Sequence, residues 1–322
     1  MAAGAHFLAV QEVLGSFRVV VVPARSLVHE IVEIPKERAR VCMIPRQVLR
    51  KVLVCLVLML AAHAFQVSNG VAGQSEPSSP SFRFVQITDT HLGSLESLAR
   101  LDRVVRRINK LPYPVACVVH SGDVFADNIA DPDRRRQGLR ILKRLEPPLY
   151  AAPGNHDILR SDLEATRTAW TEAFSGLVHT HSVRGVRFVL SYTYPLSGSF
   201  NIPGYDPMER IQGALSQGSG DPVVMVHHAP SLPEFKDGGL RGGWSEAKRR
   251  EWRRMLRQNG VIAVLAGHFH RGELHWVGDV PLYVAPPVAG SQRPAAFRVY
   301  TYSDGRLSHR TFRVPISGAR EK

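Results

Sequence analysis

From residue 82 onward the apolar positions follow two alternating rhythms. Short strand-like stretches rich in apolar residues occupy 82–88, 115–120, 149–152, 223–226 and 261–266. Stretches of that length, each ending in a polar cluster, read as strands. Between them the apolar residues recur at helical spacing. Leu95, Leu98, Leu101, Val105 and Ile108 form one stripe over 94–110, which predicts a helix with one buried face. Leu139, Leu142 and Leu145 carry a second helix over 133–145. A third opens at Ser161, where Ser161-Asp162-Leu163-Glu164 has the form of a capping box, and it carries Trp170 and Phe174. A fourth spans 245–258 and stops at Asn259-Gly260. Strand and helix in alternation predict an α/β fold. After Gly272 the rhythm changes to short strands at 274–277, 282–285, 296–302 and 310–314, with Asp304-Gly305 as a hairpin signal. These elements fit one domain over 82–316 with no internal repeat.

The segment before residue 82 has a different character. Arg46, Arg50 and Lys51 are followed by an apolar run at 52–60 and by Ala62-His63-Ala64. A basic start, a short apolar core and an A-x-A site make residues 43–64 a signal peptide, with an uncleaved signal anchor as the alternative. The apolar run is short for a span, which needs about 20 residues. Translation is expected to start at Met43, making residues 1–42 a non-native or disordered extension. The stretch 65–81, rich in Ser, Gly and Pro from 68, reads as a linker. Cys42 and Cys55 precede the cleavage point, so Cys117 alone remains in the exported form, which then has no internal disulfide. The expected location is periplasmic or extracellular, with contact to a membrane only if the signal segment stays attached.

The net charge of the 322 residues is +13. Such a surface attracts anions. Its arginines, including Arg134-Arg135-Arg136 and Arg249-Arg250, lie in helix-like segments and read as solvated faces rather than a nucleic-acid surface.

Each of the five early strands ends in a polar cluster. These are Asp89-Thr90-His91, Gly122-Asp123, Gly154-Asn155-His156-Asp157, His227-His228 and Gly267-His268-Phe269-His270. Open α/β folds build their sites at such strand ends. Asp, Asn and His offer oxygen and nitrogen donors suited to Mn, Fe, Co or Zn, with no thiolate among them. In an extended segment the spacing of Asp89 and His91, and of His268 and His270, would put each pair on one side. Seven candidates, Asp89, His91, Asp123, Asn155, His227, His268 and His270, exceed one tetrahedral site and suit two ions sharing a carboxylate. Paired metals are a known device for phosphoryl transfer.

In this order the motifs DTH, GD, GNHD, HH and GHFH resemble the calcineurin-like metallophosphoesterase superfamily, most closely its cyclic-nucleotide and glycerophosphodiester phosphodiesterase branch. The resemblance covers residues 82–290. It implies two mixed β-sheets packed face to face and flanked by helices. It also implies one divalent or trivalent metal held by Asp89, His91 and His270, a second by Asn155, His227 and His268, and Asp123 bridging them. Either member of the His-His pair can be the ligand, and the family's H-H-x-P form favours His227. A hydroxide held between the ions would attack phosphorus, with His156 contacting the phosphate or protonating the leaving oxygen. The implied partner is a small phosphate ester, first a phosphodiester. A silent binding scaffold and a nuclease acting on DNA are the alternatives, weakened by the full ligand set and by the export signal. The stretches 197–221 and 232–243 read as substrate loops. The expectation for the N-terminus is testable by intact mass: protein from the native host should begin at Phe65, or at Met43 if uncleaved, and a mass that includes Met1 would overturn the start site.

Overall fold

The computed structural model describes residues 6–13, 16–23, 81–197, 201–218, 220–232, 244–290 and 293–315. The signal segment at 43–64, the linker as far as residue 80 and the glycine-rich stretch 233–243 lie outside the described residues. In the N-terminal unit, β1 (His6–Val13) and β2 (Ser16–Pro23) pair antiparallel as a hairpin. Among the described residues no helix is long and apolar enough to cross a membrane.

The described residues of the second unit form eleven strands in two sheets. They are β3 (Phe82–Ile87), β4 (Val118–Ser121), β5 (Leu149–Ala152), β6 (Val178–Val183), β7 (Val186–Ser191), β8 (Val223–Val226), β9 (Val261–Ala266), β10 (Glu273–Val277), β11 (Val280–Val284), β12 (Ala295–Ser303) and β13 (Arg306–Val314). One sheet has the order β13-β12-β3-β4-β5 and the other β10-β11-β9-β8-β7-β6. The central strands β3, β4 and β5 are parallel, as are β7, β8, β9 and β11. The remaining neighbours are antiparallel, so both sheets are mixed.

Strand pleating sorts side chains into separate cores. Val224 and Val226 of β8, Ala263 and Leu265 of β9, and Phe188 of β7 meet Phe84, Val119 and Tyr300 from the other sheet. The alternate residues Val223, Met225 and Val264 face outward. There they pack under α4 (Pro207–Ser216) and α5 (Glu246–Gln258), through Ile211, Leu215, Trp252 and Leu256. Val85, Ile87 and Val118 pack under α1 (Leu95–Asn109), α2 (Pro132–Leu142) and α3 (Leu163–Ala173), through Leu101, Val104, Leu142 and Trp170. The result is two face-to-face sheets with helices on both outer surfaces. Both faces of each central strand are covered, which is why those strands are rich in apolar residues.

Three local features depart from the sequence reading. Strands β6 and β7 form a hairpin across Arg184-Gly185, where both residues have positive φ (52° and 79°), as a two-residue primed turn requires. The stretch 197–221 contains α4, started by Pro207 and by Asp206, whose side chain accepts from the Met208 and Glu209 N–H groups. The capping box at Ser161 does not form. A short 3-10 turn occupies Arg160–Asp162, and α3 begins at Leu163 with no side-chain cap. By contrast α1 does carry a capping box, made by Ser94 with Ser97.

Phe84 joins the two sheets. Its ring stacks on Tyr300 at 5.0 Å and meets Phe188 edge-on at 5.0 Å. Phe84→Ala should therefore cost about 3–5 kcal/mol, read as a lower urea midpoint with an unchanged slope. A loss below about 1 kcal/mol would show that the inter-sheet core is not the cooperative centre.

Candidate metal centre

The polar clusters sit on turns at the C-terminal ends of β3, β4, β5, β8 and β9. These turns are not extended. Among the described residues eight non-glycine residues have positive φ, and five of them are Asp89 (49°), His91 (41°), Asp123 (54°), His268 (72°) and His270 (52°). The spacing argument from strand pleating therefore does not apply to Asp89/His91 or His268/His270. Their side chains converge because the backbone turns left-handed at each of them. Non-glycine residues hold that conformation at a cost of order 1–3 kcal/mol each, and they persist where the surroundings over-determine them.

The surroundings do so with backbone bonds. The Asp89 N–H donates to Gly122 O at 3.0 Å and the His91 N–H to Asp123 O at 3.1 Å. The Gly267 N–H donates to His228 O at 2.9 Å, tying β8 to β9. Glycines allow the close approach. A Cβ on Gly154 would lie 2.1 Å from Asp123 Oδ1, and one on Gly267 would lie 2.0 Å from Thr88 Oγ1.

Two carboxylates form the centre. Asp89 and Asp123 are 0% and 1% exposed. The His270 Nε2 lies 3.2 Å from Asp89 Oδ1, and His91 Nε2 lies 3.2 Å from His270 Nε2. The His228 Nε2 lies 2.9 Å from Asp123 Oδ2, and His268 Nδ1 lies 3.2 Å from His228 Nε2. Three sets of potential ligand atoms result: Asp89/His91/His270, His91/Asp123/His156 and Asp123/His228/His268, each within 4.8 Å of one another.

The second member of the His-His pair, not the first, joins this centre. Pleating explains it. His228 continues the inward face of Val224 and Val226, whereas His227 continues the outward face of Val223 and Met225. The His227 ring packs against Trp244 and Trp252, at centroid distances of 6.1 and 5.7 Å. Burial pushes it down to about 3, so it is neutral there. In the structure it is His228, and not the His227 favoured by the family's motif form, that faces Asp123. Its Nδ1–H donates to Ser121 O at 2.8 Å, which leaves Nε2 turned toward Asp123.

Electrostatics follow from these distances. Burial opposes charge on Asp123, but His228 beside it outweighs burial and holds the carboxyl below its usual range. For Asp89, burial is likewise outweighed by His228 and by the bond to His270. His228 itself resists burial through Asp123 and Asp89 and is raised to about 9. Burial, with His228 adding to it, pushes His268 down to about 4.

Several supporting residues escaped the sequence reading. Asp127, at φ 58°, clamps His156 in both directions: the His156 Nδ1–H donates to Asp127 Oδ1 at 2.8 Å, and the Asp127 N–H donates to His156 O at 3.3 Å. The His120 Nδ1 accepts from the Gly122 N–H at 3.2 Å, and Nε2 faces Thr90 Oγ1 at 3.0 Å. Gln86 fastens the sheets together. Its amide donates to Ser121 Oγ at 2.8 Å and to Ala266 O at 2.9 Å, and accepts from the Tyr300 hydroxyl at 2.9 Å. Asp157 accepts from the Val124, Phe125 and Gly154 N–H groups. A histidine or glutamine inside an apolar strand was the available signal for His120 and Gln86; Asp127 offered none.

The donors fit a metal pair. Imidazole nitrogens face one another at 3.2 Å around two buried carboxylates. Asn155 lies between Gly154, which abuts Asp123, and His156, whose N–H donates to Asp123 Oδ1 at 2.9 Å. The Asn155 Oδ1 is buried with no hydrogen-bond partner, as expected of an oxygen aimed at a cation. Carboxylate, amide oxygen and imidazole together suit divalent first-row metals.

The calcineurin-like phosphoesterase family model matches residues 82–272, and the chain belongs to that family. A transmembrane protein with a metallophosphoesterase domain from Danio rerio is 26% identical over 208 residues, covering 60% of this chain but only 41% of that one. A cAMP/cGMP dual specificity phosphodiesterase from Mycobacterium tuberculosis is 22% identical over 235 residues, covering 68% of this chain and 71% of that one. Among solved structures, a dimetal phosphatase from Danio rerio aligns with TM-score 0.52 at 16% identity, over 73% of this chain and 99% of that one. A purple acid phosphatase from yellow lupin aligns with TM-score 0.51 at 15% identity, over 72% of this chain and 51% of that one. At these identities the structural likeness speaks for the fold.

The two histidines of the pair are separable by metal content. His227→Leu should keep the wild-type complement after loading with Mn²⁺, and His228→Ala should lose at least one ion, both read by elemental analysis. The reverse pattern would return His227 to the ligand set.

Proposed function

We propose that this protein is a binuclear metal-dependent phosphodiesterase. The observation that carries the reading is the position of Asp123, whose carboxylate belongs to two of the three ligand sets at once. In this reading Asp89, His91 and His270 hold one ion, Asn155, His228 and His268 hold the other, and Asp123 joins them. When bound, the pair supplies positive charge against the phosphate oxygens and a nucleophile from water at neutral pH.

The chain's own residues do the rest. Asp123 is held by the His156 N–H at 2.9 Å and by His228 at 2.9 Å, so its two oxygens are fixed before substrate arrives. His156 is about 38% exposed along its side chain and oriented by Asp127. With Nδ1 committed to that carboxylate, Nε2 is the atom left to give a proton to the departing alcohol oxygen. The neighbouring cation Arg271 is tied to Glu273 rather than left for substrate.

A phosphodiester is favoured over a monoester by the motif resemblance and by the mycobacterial relative's cyclic-nucleotide activity. Cyclic AMP and cyclic GMP therefore come first in a substrate screen. The same reading takes the protein as exported, on the strength of residues 43–64.

The test is hydrolysis of bis(p-nitrophenyl) phosphate by residues 68–322, with Mn²⁺ or with chelator, beside Asp123→Asn. Turnover should need metal and fall to background in the variant. Turnover that survives chelation or Asp123→Asn would overturn the reading. His156→Asn should slow the reaction by about 10²–10⁴ for an alkyl leaving group. The loss should be smaller for p-nitrophenolate, which departs without a proton. Equal losses on both substrates would remove His156 as the acid.

A further inference from the structure

Arg100 is 3% exposed, although it lies on α1, well away from the ligand turns. Its Nε–H donates to Val288 O at 2.8 Å, and its terminal nitrogen donates to Arg293 O at 2.7 Å. The nearest carboxylate, on Glu96, is half exposed and 4.0 Å away. The guanidinium is thus spent on backbone carbonyls of the loop between β11 and β12.

That loop touches the candidate centre through backbone alone. The Val288 N–H donates to Thr88 O at 3.0 Å, and the Ala289 N–H donates to Asp89 O at 2.9 Å. Asp89 is left-handed, at φ 49°. Its N–H is held by Gly122 O from β4's turn, and its C=O by Ala289 from this loop. Nearby, the Ala285 N–H donates to Ala266 O at 2.9 Å, so the loop also spans the seam between the sheets. The planar fork of an arginine reaches two carbonyls at once, which a lysine ammonium on its single stem does with far less geometric control.

We propose that Arg100 is a positioning residue for the metal-binding carboxylate of Asp89, acting through Val288 and Ala289. It clamps the loop, the loop closes the second backbone bond of Asp89, and that bond holds the side chain in the geometry that meets His91 and His270. This rests on the metal-centre reading above. Removing the fork leaves the Val288 carbonyl buried without its donor. The loop then relaxes, and the ion held by Asp89, His91 and His270 weakens more than the one at His228 and His268.

The molecule supplies its own control. Arg187 is also buried, at 6% exposure, and donates to two backbone carbonyls, Ala214 at 2.8 Å and Leu215 at 2.9 Å. Those carbonyls end α4 and do not touch the centre. Arg100→Met and Arg187→Met keep the apolar stem and delete the same two bonds. Thermal unfolding in EDTA should fall by a similar amount in both. Mn²⁺ titration followed by electron paramagnetic resonance should separate them. Wild type and Arg187→Met should take two ions with a spin-coupled spectrum. Arg100→Met should bind one ion normally and the second about 10–100-fold more weakly, the usual size for loss of a supporting contact, giving a six-line mononuclear signal at limiting Mn²⁺. Wild-type affinity for both ions in Arg100→Met, or equal weakening in Arg187→Met, would overturn the inference while leaving the metal centre intact. A wild type that binds no Mn²⁺ would overturn the metal-centre reading itself, and this inference with it.

Discussion

Two carboxylates buried within one seam between two sheets set the terms for the rest of this structure. An ionised carboxylate removed from water carries a penalty of several kcal/mol unless it is paired and hydrogen-bonded. Asp89 and Asp123 raise that penalty twice, and each works against the other's charge. The compensation is local and specific. The Thr88 hydroxyl donates to Asp89 at 2.8 Å, the His268 N–H reaches it at 3.1 Å, and the His156 N–H reaches Asp123. Around them stand imidazoles, which are the side chains able to be a cation in one state of the centre and a neutral ligand in another. His228 shows this most plainly: the two acids beside it raise its pKa, and its Nδ1–H is committed to Ser121, as suits a metal-ligating imidazole.

Gathering so many donors at one point forces the backbone into conformations it would otherwise avoid. Left-handed residues at the ends of β3, β4 and β9 replace the extended geometry that simple alternation suggests. Such turns need firm scaffolding, and the four-layer fold provides it. The sheets are clamped by an aromatic layer around Phe84 and by the Gln86 amide, whose bonds reach three strands. Site precision here depends on a rigid seam more than on any one loop.

Much of this was legible in the sequence, for reasons that can be stated. Strands buried on both faces announce themselves as short stretches rich in apolar residues, and the donors announce themselves because Asp, Asn and His cluster where those stretches stop. The hairpin of β6 and β7 was hidden because His179, His181 and Arg187 interrupt its apolar pattern. Helix α4 was hidden because Gly, Ser and Pro flank it. Which of His227 and His228 faces the centre depends on which side of β8 meets the other sheet. Both sides of that strand are apolar, so the sequence around it does not distinguish them. Asp127 and Arg100 act through hydrogen bonds to residues 29 and 188 positions away, and no local pattern encodes such partners.

The order of the strands has a consequence for how the centre comes into being. The first donor-bearing strand, β3, takes one of its two neighbours from β12, near the end of the chain, and His91 meets His270 across 179 residues. Contacts of that separation form late, since closing long loops costs entropy before any contact rewards it. While the chain is being made, the early acidic turns are present without the histidines that neutralise them. The donor set is complete only once the turn after β9 has met the turn after β3, which requires the chain to be folded through His270. The choice among chemically similar ions then falls to whatever surrounds the protein at that moment, and the place where folding ends becomes part of what determines the metal it carries.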